Sequence, residues 1–236
     1  MSCSTTPHTS GRCQVFRDAA LVFGKDLRLE LRSRVGLNQV VPFAVLVLVL
    51  FAFALDPDSG VLTRATAGLF WVAVLLAALL AVQRAFSVET SDGVADALRL
   101  SGLEPAGIFL GKVGSLAVQL IALEVVLGAG VVLFYGADPT GVGLLVVTAL
   151  VATLGLAAAG AVYGAIAAGL RVRDTLLPLL LLPAVAPVLI GATQAFEAAL
   201  DGVPGDGWPW AALLGIFALL YLAFGVLMFG PLLEEA

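Results

Sequence analysis

Residues 141–170 read GVGLLVVTALVATLGLAAAGAVYGAIAAGL, a stretch without one charged side chain or proline. An α-helix rises about 1.5 Å per residue, so roughly 20 such residues cross a bilayer core about 30 Å thick. In hydrocarbon each backbone N–H and C=O must find its partner within the protein, and a helix satisfies them inside the segment itself. Comparable runs recur on both sides, giving six expected spans at 36–55, 65–82, 106–135, 141–170, 175–196 and 210–229. Turn or charge signals separate them: Asp56-Pro57-Asp58-Ser59-Gly60, the polar segment 83–105, Gly136-Ala137-Asp138-Pro139-Thr140, Arg171-Val172-Arg173-Asp174, and 197–209. The expected fold is an all-α, six-span membrane protein.

Composition agrees. Of 236 residues, 61% are apolar and 12% charged, with a mean hydropathy of +1.07. Soluble domains carry about 25% charged residues. A water-soluble globular enzyme, a disordered chain and a collagen are thereby excluded. The net charge of −5 argues against a nucleic-acid partner. Cys3 and Cys13 stand in a Ser/Thr-rich stretch, 1–14, read as a flexible cytoplasmic tail. Their spacing matches neither a zinc site nor a redox pair, and they read as free thiols of a reducing compartment. No charged stretch, apolar core and small-residue cleavage site follow one another here, so a cleaved signal peptide is not expected.

Lys and Arg set the orientation. Arg12, Arg17, Lys25, Arg28, Arg32, Arg34, Arg84, Arg99, Lys112, Arg171 and Arg173 fall on one side of the expected membrane, and Arg64 alone on the other. Both termini, including 230–236, are therefore expected in the cytoplasm. Trp208 and Trp210 then lie in the outer headgroup layer at the mouth of the last span.

Two polar segments carry most of the information outside the spans. In 15–35, Phe16, Ala20, Phe23, Leu27 and Leu31 repeat at helical spacing, with Arg17, Lys25, Arg28 and Arg32 largely off that stripe. This is the pattern of an amphipathic interfacial helix with its basic side towards lipid phosphates, available as a plain juxtamembrane anchor or to a cytosolic partner. After the second span, Asp92-Gly93 leads into Val94-Ala95-Asp96-Ala97-Leu98-Arg99-Leu100, with Asp92 as N-cap and Gly102 and Pro105 ending the run. A short cytoplasmic helix there can receive a push from a partner, or be a surface helix without one.

No catalytic set is visible. Gly111-Lys112-Val113 lacks both the first glycine of a P-loop and the Ser/Thr that would hold magnesium, so no ATP site is expected on this chain. His8, the sole histidine, lies in the tail, and no metal site is expected. Tyr135, Tyr163, Tyr221 and Met228 are conceivable iron ligands, but each residue type is commoner in interfacial or packing roles. Glu124 is the one acid deep within a span, with Gln119 and Lys112 towards the start of the same helix. A charged side chain at bilayer depth costs about 2.5–3.5 kcal/mol on insertion scales, so Glu124 should face a wet path, a partner helix or an interhelical hydrogen bond. Gly160-Ala161-Val162-Tyr163-Gly164 and the pair Gly107 and Gly111 have the spacing that lets helices approach closely, within the chain or between subunits. Pro178, Pro183 and Pro187 punctuate the fifth span. No inverted half-repeat with paired broken helices is present, which disfavours an ion-coupled transporter. Six spans with cytoplasmic docking elements and no energy site fit a permease driven by a separate ATPase.

Gly68-Leu69-Phe70-Trp71-Val72-Ala73-Val74-Leu75-Leu76, then Arg84-Ala85-Phe86, Asp92-Gly93, Leu98, Leu100 and Lys112, resemble the haem exporter protein B family. Leu181-Leu182-Pro183-Ala184-Val185-Ala186-Pro187-Val188-Leu189-Ile190 resembles its proline-spaced fifth span. The likeness covers nearly the whole chain from Phe16; the Cys-bearing tail and the acidic segment around Asp201 and Asp206 depart from it. The resemblance implies an ABC-2 exporter-like fold with an elbow helix at Arg17, Lys25, Arg28 and Arg32, and a coupling helix at Asp92, Gly93, Asp96, Leu98, Arg99 and Leu100. It implies as partners a cytosolic ATP-binding subunit, a haem-handling membrane subunit and a small single-span subunit, in the inner (cytoplasmic) cell membrane. The implied role is haem export, or release of a haem-loaded chaperone, in c-type cytochrome biogenesis. Haem is then cargo rather than a resident cofactor, and ATP is bound by the partner. Glu124, Gln119, Lys112 and Trp71 are the candidates for a path or an interface. An ABC-2 permease for another amphipathic cargo, and a non-translocating assembly scaffold, remain as alternatives.

Overall fold

The structure is a computed structural model describing residues 7–33, 40–55, 61–90, 102–135, 141–168 and 173–235. These residues form seven α-helices: α1 (Pro7–Ser33), α2 (Val41–Ala54), α3 (Val61–Thr90), α4 (Pro105–Tyr135), α5 (Val142–Ala168), α6 (Arg173–Leu200) and α7 (Pro204–Glu235). Among the described residues there is no strand. Helices α3 to α7 are each long and apolar enough to cross a bilayer, so the chain is a multi-pass membrane protein. The first expected span is represented by α2, whose 14 residues extend about 21 Å. The segment expected to form the coupling helix, Asp92, Gly93, Asp96, Leu98, Arg99 and Leu100 included, lies outside the described residues.

Several boundaries differ from the sequence reading, α3 starting already at Val61 and α7 running on to Glu235, and three of the differences are instructive. Helix α3 continues through Gln83 to Thr90 instead of stopping at Val82. Polarity alone does not end a helix, and no glycine or proline occurs between Val82 and Gly93. Helix α1 begins at Pro7, within the stretch read as a tail. The acidic segment 197–209 shortens to a tight turn. Gly202 adopts φ 77°, and Val203 N–H donates to the Ala198 carbonyl at 3.0 Å, closing α6 in a Schellman motif before Pro204 opens α7.

Lipid tails are as apolar as leucine, so burial from water does not drive these helices together; close packing does. Gly160 and Gly164 face α3, where a Cβ would lie 2.6 Å from Val82 Cγ2 and 2.4 Å from Phe86 Cε2. This GxxxG is therefore spent on packing within the chain. Gly225 of α7 seats the Phe109 ring, which a Cβ would meet at 2.0 Å. Phe70 and Trp71 of α3 pack on Phe196 of α6 with ring centroids 5.1 and 5.2 Å away. The prolines lie within a continuous α6, which turns Leu177, Leu181, Val185 and Val188 inward while Pro183 and Pro187 are exposed. Tyr135 Oη donates to the Leu48 carbonyl at 2.9 Å and ties α4 to α2.

Candidate functional site

Two regions concentrate the polar chemistry, at opposite ends of the bundle. The basic end is where α3 stops and α4 starts. There α1 lies along the first turns of α4, which presents Gly107, Gly111 and Gly114 on one face. A Cβ at Gly107 would sit 2.9 Å from the Val15 carbonyl oxygen, and one at Gly111 2.7 Å from that of Ala19. Only glycine admits a backbone so near.

The docked face of α1 takes in only part of its apolar stripe: the Phe23 ring lies against Gly114 of α4 and Leu27 is half-buried. Asp18 and Val22 are 5% and 3% exposed, whereas Phe16 is 71% and Leu31 59% exposed. Helix α1 thus has three sides: one seated on α4, one apolar and open, and one basic and open. Arg17, Arg28 and Arg32 are exposed and Lys25 is half-buried, its ammonium 2.9 Å from Asp26 Oδ1. Acidic residues hold the seat. Asp18 Oδ2 accepts from the Glu104 N–H at 3.1 Å, just ahead of α4, where the helix dipole favours a negative charge. Asp26 Oδ2 stands 4.0 Å from Lys112 Nζ, and Lys112 also lies 4.6 Å over the Phe86 ring. Arg84 donates to Glu30 Oε1 at 3.1 Å, linking α3 to α1.

The second region is an apolar cleft of about 370 Å³ between α3, α4, α5 and α6. Glu124 reaches it from the middle of α4. Its Oε1 accepts from the Thr153 hydroxyl of α5, while Oε2 has no hydrogen-bond partner. Thr66 also lines the cleft, but its hydroxyl donates to the Leu62 carbonyl of its own helix.

Glu124, Gln119, Lys112 and Trp71 are not brought together. At 100° per residue, Lys112 and Gln119 share one side of α4, and Glu124 points well away from both. Lys112 belongs to the α1 seat. Gln119 lines a separate groove of about 310 Å³ with Glu30 and Arg84. Trp71 is fully buried against Phe196, its indole N–H unpartnered. Asp18, Asp26 and Thr153 were not singled out from sequence. Acids on the glycine-facing side of a basic helix are the signal for the first two; nothing local marks Thr153. Of the side chains weighed as iron ligands, Tyr135 is committed to Leu48, the Tyr163 and Tyr221 hydroxyls face each other at 3.4 Å, and Met228 is exposed.

The family described as "CcmB protein" matches residues 17–231. Heme exporter protein B of Pseudomonas aeruginosa is 34% identical over 210 residues, spanning 88% of this chain and 93% of the relative. The protein of the same name from Paracoccus denitrificans is 32% identical over 204 residues, 83% of this chain and 88% of its own length. That of Escherichia coli K12 is 32% identical over 196 residues, 82% and 87%. With a bundle of long apolar helices matched almost from end to end, the chain belongs to the CcmB protein family.

Proposed function

We propose that this chain is the membrane permease subunit of an ABC-type complex that exports haem, or frees a haem-loaded chaperone, during c-type cytochrome biogenesis. The observation that carries the reading is the match to proteins named Heme exporter protein B over 82–88% of the chain. In this reading the chain has six spans arranged as in ABC-2 exporters, with α2 completing the first span. It resides in the inner membrane with both termini cytoplasmic, and the basic end of the bundle is the cytoplasmic end. ATP is bound and hydrolysed by a separate cytosolic subunit. A haem-handling membrane subunit holds the iron, and a small single-span subunit completes the complex.

Helix α1 serves as the elbow helix, with Arg17, Lys25, Arg28 and Arg32 towards phosphates or the ATPase. The segment with Asp92, Gly93, Asp96, Leu98, Arg99 and Leu100 is the coupling helix. The α1 seat supports this division of labour. A push on the coupling segment arrives directly at the start of α4, where Asp18 and the glycine groove lock α1 to that helix. Close-packed elements move as bodies rather than deforming continuously. Elbow and helix then shift together.

The test is co-purification of the complex from cells carrying Leu98→Asp with Leu100→Asp. The expected result is loss of the ATP-binding subunit while the chain remains in the membrane beside its membrane partners. Undiminished recovery of the ATP-binding subunit overturns the assignment.

A further inference from the structure

The elbow reading of α1 leaves open what its exposed arginines meet. Two concavities adjoin along the open edge of that helix. On the basic side, Lys25, Arg28 and Arg32 border a depression of about 360 Å³ over Ala20 and Gly24. A Cβ at Gly24 would meet nothing within 4 Å, so the backbone is approachable there. On the apolar side, Leu27 and Leu31 form one wall of a groove of about 310 Å³, and Val118, Ala122 and Val126 of α4 form another. Those three α4 residues are exposed on a membrane-spanning helix, so the groove opens to lipid. We propose that this edge binds one anionic phospholipid, its phosphate between Arg28 and Arg32 and an acyl chain in the groove.

Arg28 and Arg32 lie about 60° and 100° round the helix from Leu31, each within one turn of it. Neither has an ion-pair partner among the described residues, whereas the groove's own charges, Glu30 and Arg84, pair with each other at 3.1 Å. Selection by charge therefore falls to the two arginines. A phosphodiester beside them gains charge-assisted hydrogen bonds, and the choline of a zwitterionic lipid would return positive charge to the same cluster. The apolar half of the surface continues onto lipid-facing α4, beyond the reach of a cytosolic protein. Basic residues beside Phe and Leu are the pattern of a helix at a membrane surface. Among the described residues, neither concavity is lined by His, Cys, Met or Tyr, so haem iron would find no axial ligand there. The inference rests on the elbow reading for the leaflet concerned, the cytoplasmic one; the lipid contact itself needs neither ATPase nor haem.

The experiment titrates the full-length chain in detergent with phosphatidylglycerol or phosphatidylcholine of identical acyl chains and counts bound lipid by native mass spectrometry. Each arginine near the headgroups is worth about five-fold, so phosphatidylglycerol should bind roughly 25-fold more tightly. Arg28→Gln with Arg32→Gln should bring it down to the phosphatidylcholine value and leave phosphatidylcholine unchanged. Ala122→Phe, which fills the groove from an exposed position, should weaken both lipids by the same factor. Excess glycerol phosphate should displace neither. Equal affinity for the two lipids overturns the proposal, as does phosphatidylglycerol binding that survives the double substitution or yields to glycerol phosphate. So does a double variant that binds lipid normally but loses the ATP-binding subunit on co-purification, which would assign the arginines to a protein. Failure of the lipid arm leaves the Leu98 and Leu100 test of the permease reading untouched.

Discussion

The α1 seat and the Glu124 cleft are built on opposite principles. At the seat, Gly107 and Gly111 bring two helices into backbone contact, Gly114 receives the Phe23 ring, and acids of α1 face Lys112 of α4 and Arg84 of α3. In the cleft, Gly128 has open space before it and a carboxylate oxygen lacks a partner. The same residue type thus marks a closed joint in one place and a vacant volume in the other. What separates them is the neighbour a Cβ would meet. A tight joint leaves a new side chain no room and an open cleft does, so substitutions in the two regions should have contrasting costs.

The largest effect is expected from Gly111→Leu. Its Cβ alone would sit 2.7 Å from the Ala19 carbonyl oxygen, and backbone cannot rotate aside. Overpacking of this kind costs about 1–3 kcal/mol, enough to unseat α1. Limited trypsinolysis should then cut faster at Arg17 and Arg28; unchanged protection would break the contrast.

Asp18→Ala comes next, removing the acceptor for Glu104 N–H ahead of α4. Loss of a helix-capping contact costs about 0.5–2 kcal/mol, read as a lower thermal midpoint in detergent, and Asp18→Asn should recover most of it. Smaller again is Arg84→Ala. Its ion pair with Glu30 is only 23% exposed on each side but not sealed, and about 0.2–1 kcal/mol is expected, shrinking with added salt. Least costly is Gly128→Leu, with a stability change within about 0.5 kcal/mol, since the side chain enters empty space. A large destabilisation there would mean that the cleft is not open.

The helices were legible in the sequence because a continuous apolar run in a bilayer has little choice but to be helical. Their joints were less so. Apolar periodicity picked Phe16, Ala20, Phe23, Leu27 and Leu31 as the telling face of α1; of these Phe23 packs on Gly114, but Phe16, Ala20 and Leu31 are exposed, and the closest contacts come through Asp18, Ala19 and Val22. The rule that apolar faces turn inward comes from water; beside lipid an apolar stripe can stay exposed, and small or paired polar residues make the joint. Arg84 misled in the same way, signalling an end to α3 where it signals a partner on α1. Glu124 was legible as an expensive intramembrane acid. Its pairing with Thr153 was not, because two helices had to be registered before the hydroxyl could be found.

The central claim is that this bundle does mechanical work with energy captured on another polypeptide. Reconstituting the full chain in liposomes, with and without the ATP-binding subunit, tests it most directly. The account predicts that the chain alone neither hydrolyses ATP nor moves haem, and that both activities arise when the ATP-binding subunit and the membrane partners are added. Hydrolysis or uphill transport by the chain alone would contradict it.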